Sequence, residues 1–328
     1  MEYAIEAINL TKYYGKLQAV DHINFEVKKG EIFGFLGPNG AGKTTTIRML
    51  TSLTKPKEGT AKILGHDIQK ETLDAKRHIG IVPDISNIYD DLTAWNNLIF
   101  AGELYGVPKN ERAERAKELL EIFRLYDRRN DHAHTFSRGM KRRLTIAAAL
   151  IHQPDILFLD EPTTGLDVQS LRMIRNLIKE LNKKGMTIFL TTHYIEEADQ
   201  LCQRVAIINK GKIITLDTPE KLKTTIEEQH FIEIAFQPSE RLEDKLRSLN
   251  YVNNVSRVGD KFKLSVDDTS EIVPILVDFA RGNNLKILSL NTLKVSLEDA
   301  FVKITGLSPD LMTTDKEKEK KKAPLVIE

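Results

Sequence analysis

One cysteine, Cys202, stands among 328 residues. No intrachain disulfide can form, which fits a reducing compartment. Charge of one sign is also lacking. The 48 Lys and Arg against 47 Asp and Glu leave a net charge of +1, so no global field argues for nucleic acid or an acidic substrate. No apolar run approaches the ~18–20 residues needed to span a bilayer. A path across a membrane would have to come from another chain. The opening Met1-Glu2-Tyr3-Ala4-Ile5-Glu6 lacks a basic segment followed by an apolar stretch, so the sequence predicts no secretory leader.

What is present is ordinary globular composition, 41% hydrophobic and 29% charged, long enough for about two domains. Residues 3 to 36 alternate short apolar runs with polar turns. Ile23–Val27 has strand period, Lys28-Lys29-Gly30 reads as a turn, and Glu31–Leu36 reads as a buried strand. Thr44–Leu53 looks helical. Residues from about 88 to 152 are mostly of helical period, which predicts a helical subdomain inserted in an α/β core. Ile156–Leu159 and Thr187–Leu190 are apolar strands separated by helices, the pattern of a parallel sheet covered on both faces. After Thr218-Pro219 the pattern predicts strand 231–236, helix 239–248, strands 252–257 and 260–266, helix 270–281 and strand 285–290. That β-α-β-β-α-β order is ferredoxin-like. A short helix, Leu297–Ile304, closes it. The tail 308–328 reads as disordered. Its stretch Asp315–Lys322 has five lysines against three acids, a solvated run.

Gly37-Pro38-Asn39-Gly40-Ala41-Gly42-Lys43-Thr44 fits G-x-x-x-x-G-K-[ST], with a predicted strand before it and a helix after. Glycines let backbone N–H groups turn toward phosphates, and the helix N-terminus adds partial positive charge. Lys43 is expected to bridge β- and γ-phosphates and Thr44 to place its hydroxyl on Mg²⁺, with Thr45 beside them. Ile156–Glu161 delivers two carboxylates from the end of an apolar strand, where ligands bind in such sheets. Asp160 is expected to hold Mg²⁺, and Glu161 to orient and polarise the attacking water.

Further landmarks follow in order. Phe136-Ser137-Arg138-Gly139-Met140 opens a predicted helix and resembles the signature sequence of ATP-binding cassette (ABC) proteins, with Arg138 and Met140 in place of a glycine and a glutamine. Taken alone, Ser137 is an ordinary helix N-cap. Thr164-Gly165-Leu166-Asp167 resembles the family's D-loop. Thr191-Thr192-His193 resembles its switch histidine, and Tyr14-Gly15 its adenine-stacking aromatic loop. Ile79–Asp84 resembles the segment that normally ends in a glutamine; here Asp84 stands there. The resemblance covers roughly residues 3 to 225.

The resemblance implies an α/β P-loop ATPase core over 1–225, and the change of pattern beyond it predicts a small α+β accessory domain over 228–307. It implies ATP and Mg²⁺ as cofactors. Ser137, Gly139 and Asp167 would serve the nucleotide across a homodimer. His193 and Asp84 would join the catalytic group, with Asp84 near the metal or, alternatively, acting as a turn residue. Ser296–Gly306 resembles the ending of ATPase subunits from drug- and lipid-type exporters. That implies a separately encoded membrane permease, a place at the cytoplasmic face of the cell membrane, and no nucleic acid. Other readings are a soluble ABC ATPase in translation or DNA repair, or an importer ATPase. Two cassettes per chain or long coiled coils would mark the soluble classes, and neither feature is seen. Trp95, at the entry to the helical subdomain, lies near the family's permease-facing region or simply packs locally.

Overall fold

Strands buried on both faces need cover above and below. Ile32–Leu36, Ile156–Asp160 and Thr187–Thr192 are buried along their whole length. The computed structural model, which describes residues 2–224, 230–238, 242–293 and 295–307, shows how they are covered. In chain order the elements are β1 (Tyr3–Tyr14), β2 (Leu17–Lys28), β3 (Ile32–Leu36), α1 (Lys43–Leu50), β4 (Glu58–Ile63), β5 (His66–Asp67), α2 (Thr72–Arg77) and β6 (Ile79–Val82). Then come α3 (Ala94–Leu104), α4 (Lys109–Ile122), α5 (Arg138–Ala149), β7 (Ile156–Asp160), α6 (Val168–Lys183), β8 (Thr187–Thr192), α7 (Ile195–Leu201), β9 (Arg204–Asn209), β10 (Lys212–Asp217) and α8 (Pro219–Thr224).

The main sheet runs β10-β9-β3-β8-β7-β6. Its five strands from β9 to β6 are parallel, and β10 is an antiparallel edge. Phe33, Phe35, Phe158 and Phe189 fill its core, with ring centroids 5.5–5.7 Å apart in three of their pairs. The loops after β3, β7 and β8 leave from the same sheet edge. α3, α4 and α5 occupy the stretch expected to be helical.

A second sheet, β2-β1-β4-β5, is antiparallel. Of its two long strands, only the Ile23–Val27 part of β2 is evident from periodicity. Bulges between Ala7 and Leu10, and positive φ at Asn9 and His22, break the period-two alternation. α1 stops at Leu50, short of the expected Leu53. Ser52 is left-handed there, and Leu53 and Thr54 donate back to the Arg48 carbonyl.

The chain divides into two compact units between Pro219 and Glu220. The second contains β11 (His230–Gln237), α9 (Glu243–Arg247), β12 (Val252–Val258), β13 (Lys261–Val266), α10 (Thr269–Gly282), β14 (Lys286–Leu293) and α11 (Leu297–Thr305). Its sheet order is β12-β13-β11-β14, every neighbouring pair antiparallel. Ile232, Ile234, Phe262, Leu264, Ile272 and Leu276 form a core of its own. Residues 225–229, the start of the expected helix 239–248, and the tail 308–328 lie outside the described residues.

Candidate nucleotide site

The loop between β3 and α1 is shaped by close approach. Gly42 has φ 105°, and a Cβ there would lie 2.4 Å from the Ala19 carbonyl oxygen. Only glycine meets both demands. Gly37, Pro38, Asn39, Gly40 and Ala41 lead into it, and Thr45 lies in the first turn of α1. Lys43 is buried. Its Nζ donates to the carbonyls of Gly37 at 2.7 Å and Pro38 at 3.0 Å, and lies 3.4 Å from Glu161 Oε1. Thr44 Oγ1 donates to Asp160 Oδ1 at 3.2 Å, and Thr191 Oγ1 donates to the same oxygen at 2.6 Å. Strands β3, β7 and β8 thus bring Lys43, Thr44, Asp160, Glu161 and Thr191 to one point of the sheet edge.

Asp160 is buried, and desolvation pushes its carboxyl above the ordinary aspartate range, partly offset by the two threonine hydroxyls. Glu161 has φ 47°, a left-handed conformation that costs a non-glycine residue about 1–3 kcal/mol and clusters at functional sites. Its N–H donates to the Thr191 carbonyl and hydroxyl, both at 3.1 Å. Its Oε2 accepts from Thr164 Oγ1 at 3.1 Å. His193 Nδ1 lies 3.1 Å from the same Oε2 but off the line of a hydrogen bond.

Ser137 caps α5, its Oγ accepting from Met140 N at 3.2 Å. Its own proton remains available to another acceptor. Gly139 packs so closely on α6 that a Cβ would sit 2.2 Å from Ser170 Oγ. Asp167 caps α6. Its carboxylate accepts from Ser170 N and Oγ, both at 2.8 Å, and those bonds hold it below the usual aspartate range. Arg138 Nη1 donates to Gly165 O at 2.9 Å, so the signature and the D-loop touch within one chain. Tyr14 ends β1 at the tip of the β1–β2 hairpin, 46% exposed, with Lys12 Nζ 5.6 Å from its ring centroid. Asp84 is half-buried, and its charge acts on both Asp160 and Arg142.

Two buried residues here escape a reading of motifs. Arg142, in α5, donates to main-chain carbonyls beside both Asp84 and Glu161. Glu197 of α7 accepts from Thr163 Oγ1 at 2.8 Å, and burial pushes its carboxyl up. The one available signal is a charged residue falling on the apolar side of a helical period.

A parallel sheet with a glycine loop opening a helix after one strand, and paired carboxylates ending another, defines a phosphate-loop nucleoside triphosphatase. A family model described as ABC transporter matches residues 20–164. The linearmycin resistance ATP-binding protein LnrL of Bacillus subtilis (strain 168) is 41% identical over 305 residues, 92% of this chain and 98% of that protein. The daunorubicin/doxorubicin resistance ATP-binding protein DrrA of Streptomyces peucetius is 37% identical, covering 97% of each. Among solved structures, the dimeric post-hydrolysis state of the ATP-binding cassette MJ0796, bound to ADP and Pi, aligns with TM-score 0.60 and 29% identity over 65% of this chain and 98% of that one. The chain belongs to the ABC transporter family, as one of its ATP-binding, ATP-hydrolysing members.

Proposed function

We propose that the chain is the ATPase subunit of an exporter, closing as a homodimer around two ATP molecules and driving a separately encoded permease at the cytoplasmic face of the cell membrane. The convergence of Lys43, Thr44, Asp160 and Glu161 at the sheet edge carries the chemical part. The names of the relatives, which concern resistance and export, support the direction. No helix among the described residues is long and apolar enough to cross a membrane, so transport by this chain calls for a partner.

The donor set fits Mg²⁺. No cluster of three or more His, Cys, Asp or Glu able to hold a metal occurs among the described residues. Thr44 and Asp160 supply one hydroxyl and one carboxylate, the sparse oxygen set that Mg²⁺ completes with phosphate and water. Bound there, the ion would neutralise charge on the phosphate oxygens. Lys43 would hold the β- and γ-phosphates, and the loop N–H groups would orient them. Glu161 accepts a proton from the attacking water, and His193, beside Glu161, would hold the γ-phosphate. Tyr14 stacks on adenine. Ser137 and Gly139, at the start of α5, would face the nucleotide of the other subunit, with Asp167 at the D-loop beside them. Asp84 would serve the metal in place of glutamine. Residues 228–307 form an accessory domain that adds to dimer stability or regulation.

The test is Glu161→Gln. It keeps size and removes the basic oxygen, so hydrolysis should fall by about 10²–10⁴-fold while ATP binding persists. Closed dimers should then accumulate with ATP on size-exclusion chromatography. A variant that remains monomeric with normal turnover refutes the assignment.

A further inference from the structure

Arg142 ties two segments of the nucleotide machinery together through main chain alone. It sits in the second turn of α5, the helix capped by Ser137, and is 5% exposed. Its Nε donates to Pro162 O at 2.9 Å, and its Nη2 donates to Asp160 O at 2.8 Å and Glu161 O at 3.0 Å. One planar fork therefore grips three consecutive carbonyls across the residue held at positive φ. Nη1 donates in the other direction, to Pro83 O, and lies 3.5 Å from Asp84 O. A second link runs parallel to it: Thr145, one turn further along α5, pairs its hydroxyl with Ser86 at 2.7 Å. Burial works against the guanidinium charge, and the Asp84, Asp160, Glu197 and Glu161 carboxylates offset that. A left-handed non-glycine backbone persists only where its surroundings over-determine it. Thr191 holds the N–H side of Glu161, and Arg142 holds the carbonyl side.

We propose that Arg142 is a positioning residue. It fixes Glu161 in its reactive backbone conformation and keeps the Pro83–Asp84 segment in register with it, so that movement of the signature helix is felt at the catalytic pair of the same chain. This rests on the ATPase reading above, and its last clause on the composite dimer. Arginine is required because its five donors lie in a fixed plane, whereas lysine offers a point charge that cannot reach carbonyls on both sides.

The experiment uses the full chain with Arg142→Gln, Arg142→Lys and Arg142→Ala, measuring kcat, KM, ATP affinity and thermal midpoint. A misplaced catalytic group predicts kcat lower by about 10–100-fold with KM within about threefold of wild type, ATP binding retained, and no full rescue by lysine. Unchanged kcat, or loss of ATP binding in step with activity, overturns the proposal. Mixed dimers from differently tagged chains then separate action within a chain from action across the interface. In one arrangement Arg142→Gln sits on the chain with intact Glu161, opposite a Glu161→Gln partner. In the other, both substitutions share one chain opposite wild type. Loss in the first and control-level activity in the second is the expected result. The reverse pattern, or equal loss in both, overturns it. Should Glu161→Gln homodimers fail to form with ATP, the composite-site reading fails instead, and the kcat-against-KM split still judges Arg142.

Discussion

Asp160 carries an electrostatic tension at the site, a carboxyl raised by burial. A carboxylate whose folded-state value lies above its unfolded one leaves the fold unpenalised below the unfolded value. It costs stability as pH rises through the folded value. Asp160→Asn removes the buried charge and can keep both threonine bonds. The apo protein should therefore melt higher than wild type at alkaline pH, with the difference vanishing in acid, while hydrolysis falls on the order of 10²-fold. Differential scanning calorimetry across pH checks the first part, and a lower midpoint at alkaline pH would contradict it. Asp84 is tested by titrating ATPase activity with Mg²⁺. A metal role predicts that Asp84→Gln retains activity and that Asp84→Ala needs more Mg²⁺; identical wild-type and alanine curves leave it a turn residue. The phosphate loop and the carboxylate pair are legible in sequence because their residues are contiguous and their chemistry lies in side chains. Arg142 is not, because its partners are carbonyl oxygens that every residue possesses. The left-handed turn at Glu161 is equally silent, since glutamate gives no hint of positive φ.

Helix starts organise the site at the next scale. α5 and α6 open beside each other, capped by Ser137 and Asp167, and Gly139 lets them approach. Gly139→Ala should push Ser170 off Asp167, disturb the D-loop, and slow hydrolysis by at least about tenfold with ATP affinity largely kept. Equal turnover in a steady-state assay would show that the approach is slack. In α11, Ser296 and Asp299 cap reciprocally, and Ser296→Ala should cost about 1 kcal/mol in urea unfolding of the second unit. The parallel strands β3, β7 and β8 and the helices α5 and α10 are read well from sequence, since burial on two faces or on one stripe leaves a clean pattern. β1 and the first half of β2 are not, because bulges reset their alternation, and pairing β1 with β4 requires contacts some fifty residues apart.

At the scale of the whole molecule, each of the two units has an apolar cluster of its own. The first gathers Ile5, Phe25, Phe33, Ile47, Phe158 and Ile208, all before Pro219; the second gathers Ile232 through Ala280. Every residue placed around the phosphate loop belongs to the first unit. The apolar side chains of each cluster come from one unit, and their burial stabilises that unit. A chain cut after Glu228 should therefore fold and bind ATP within about threefold of the full chain, a difference under ~1 kcal/mol. The ATP-driven dimer should be weaker, because the accessory domain is gone. Circular dichroism establishes folding, calorimetric titration the affinity, and sedimentation with a hydrolysis-blocked Glu161→Gln background the dimer. A folded fragment that fails to bind ATP would mean that the second unit completes the nucleotide site. A fragment that dimerises as tightly as the full chain would leave residues 228–307 with a role outside dimer stability.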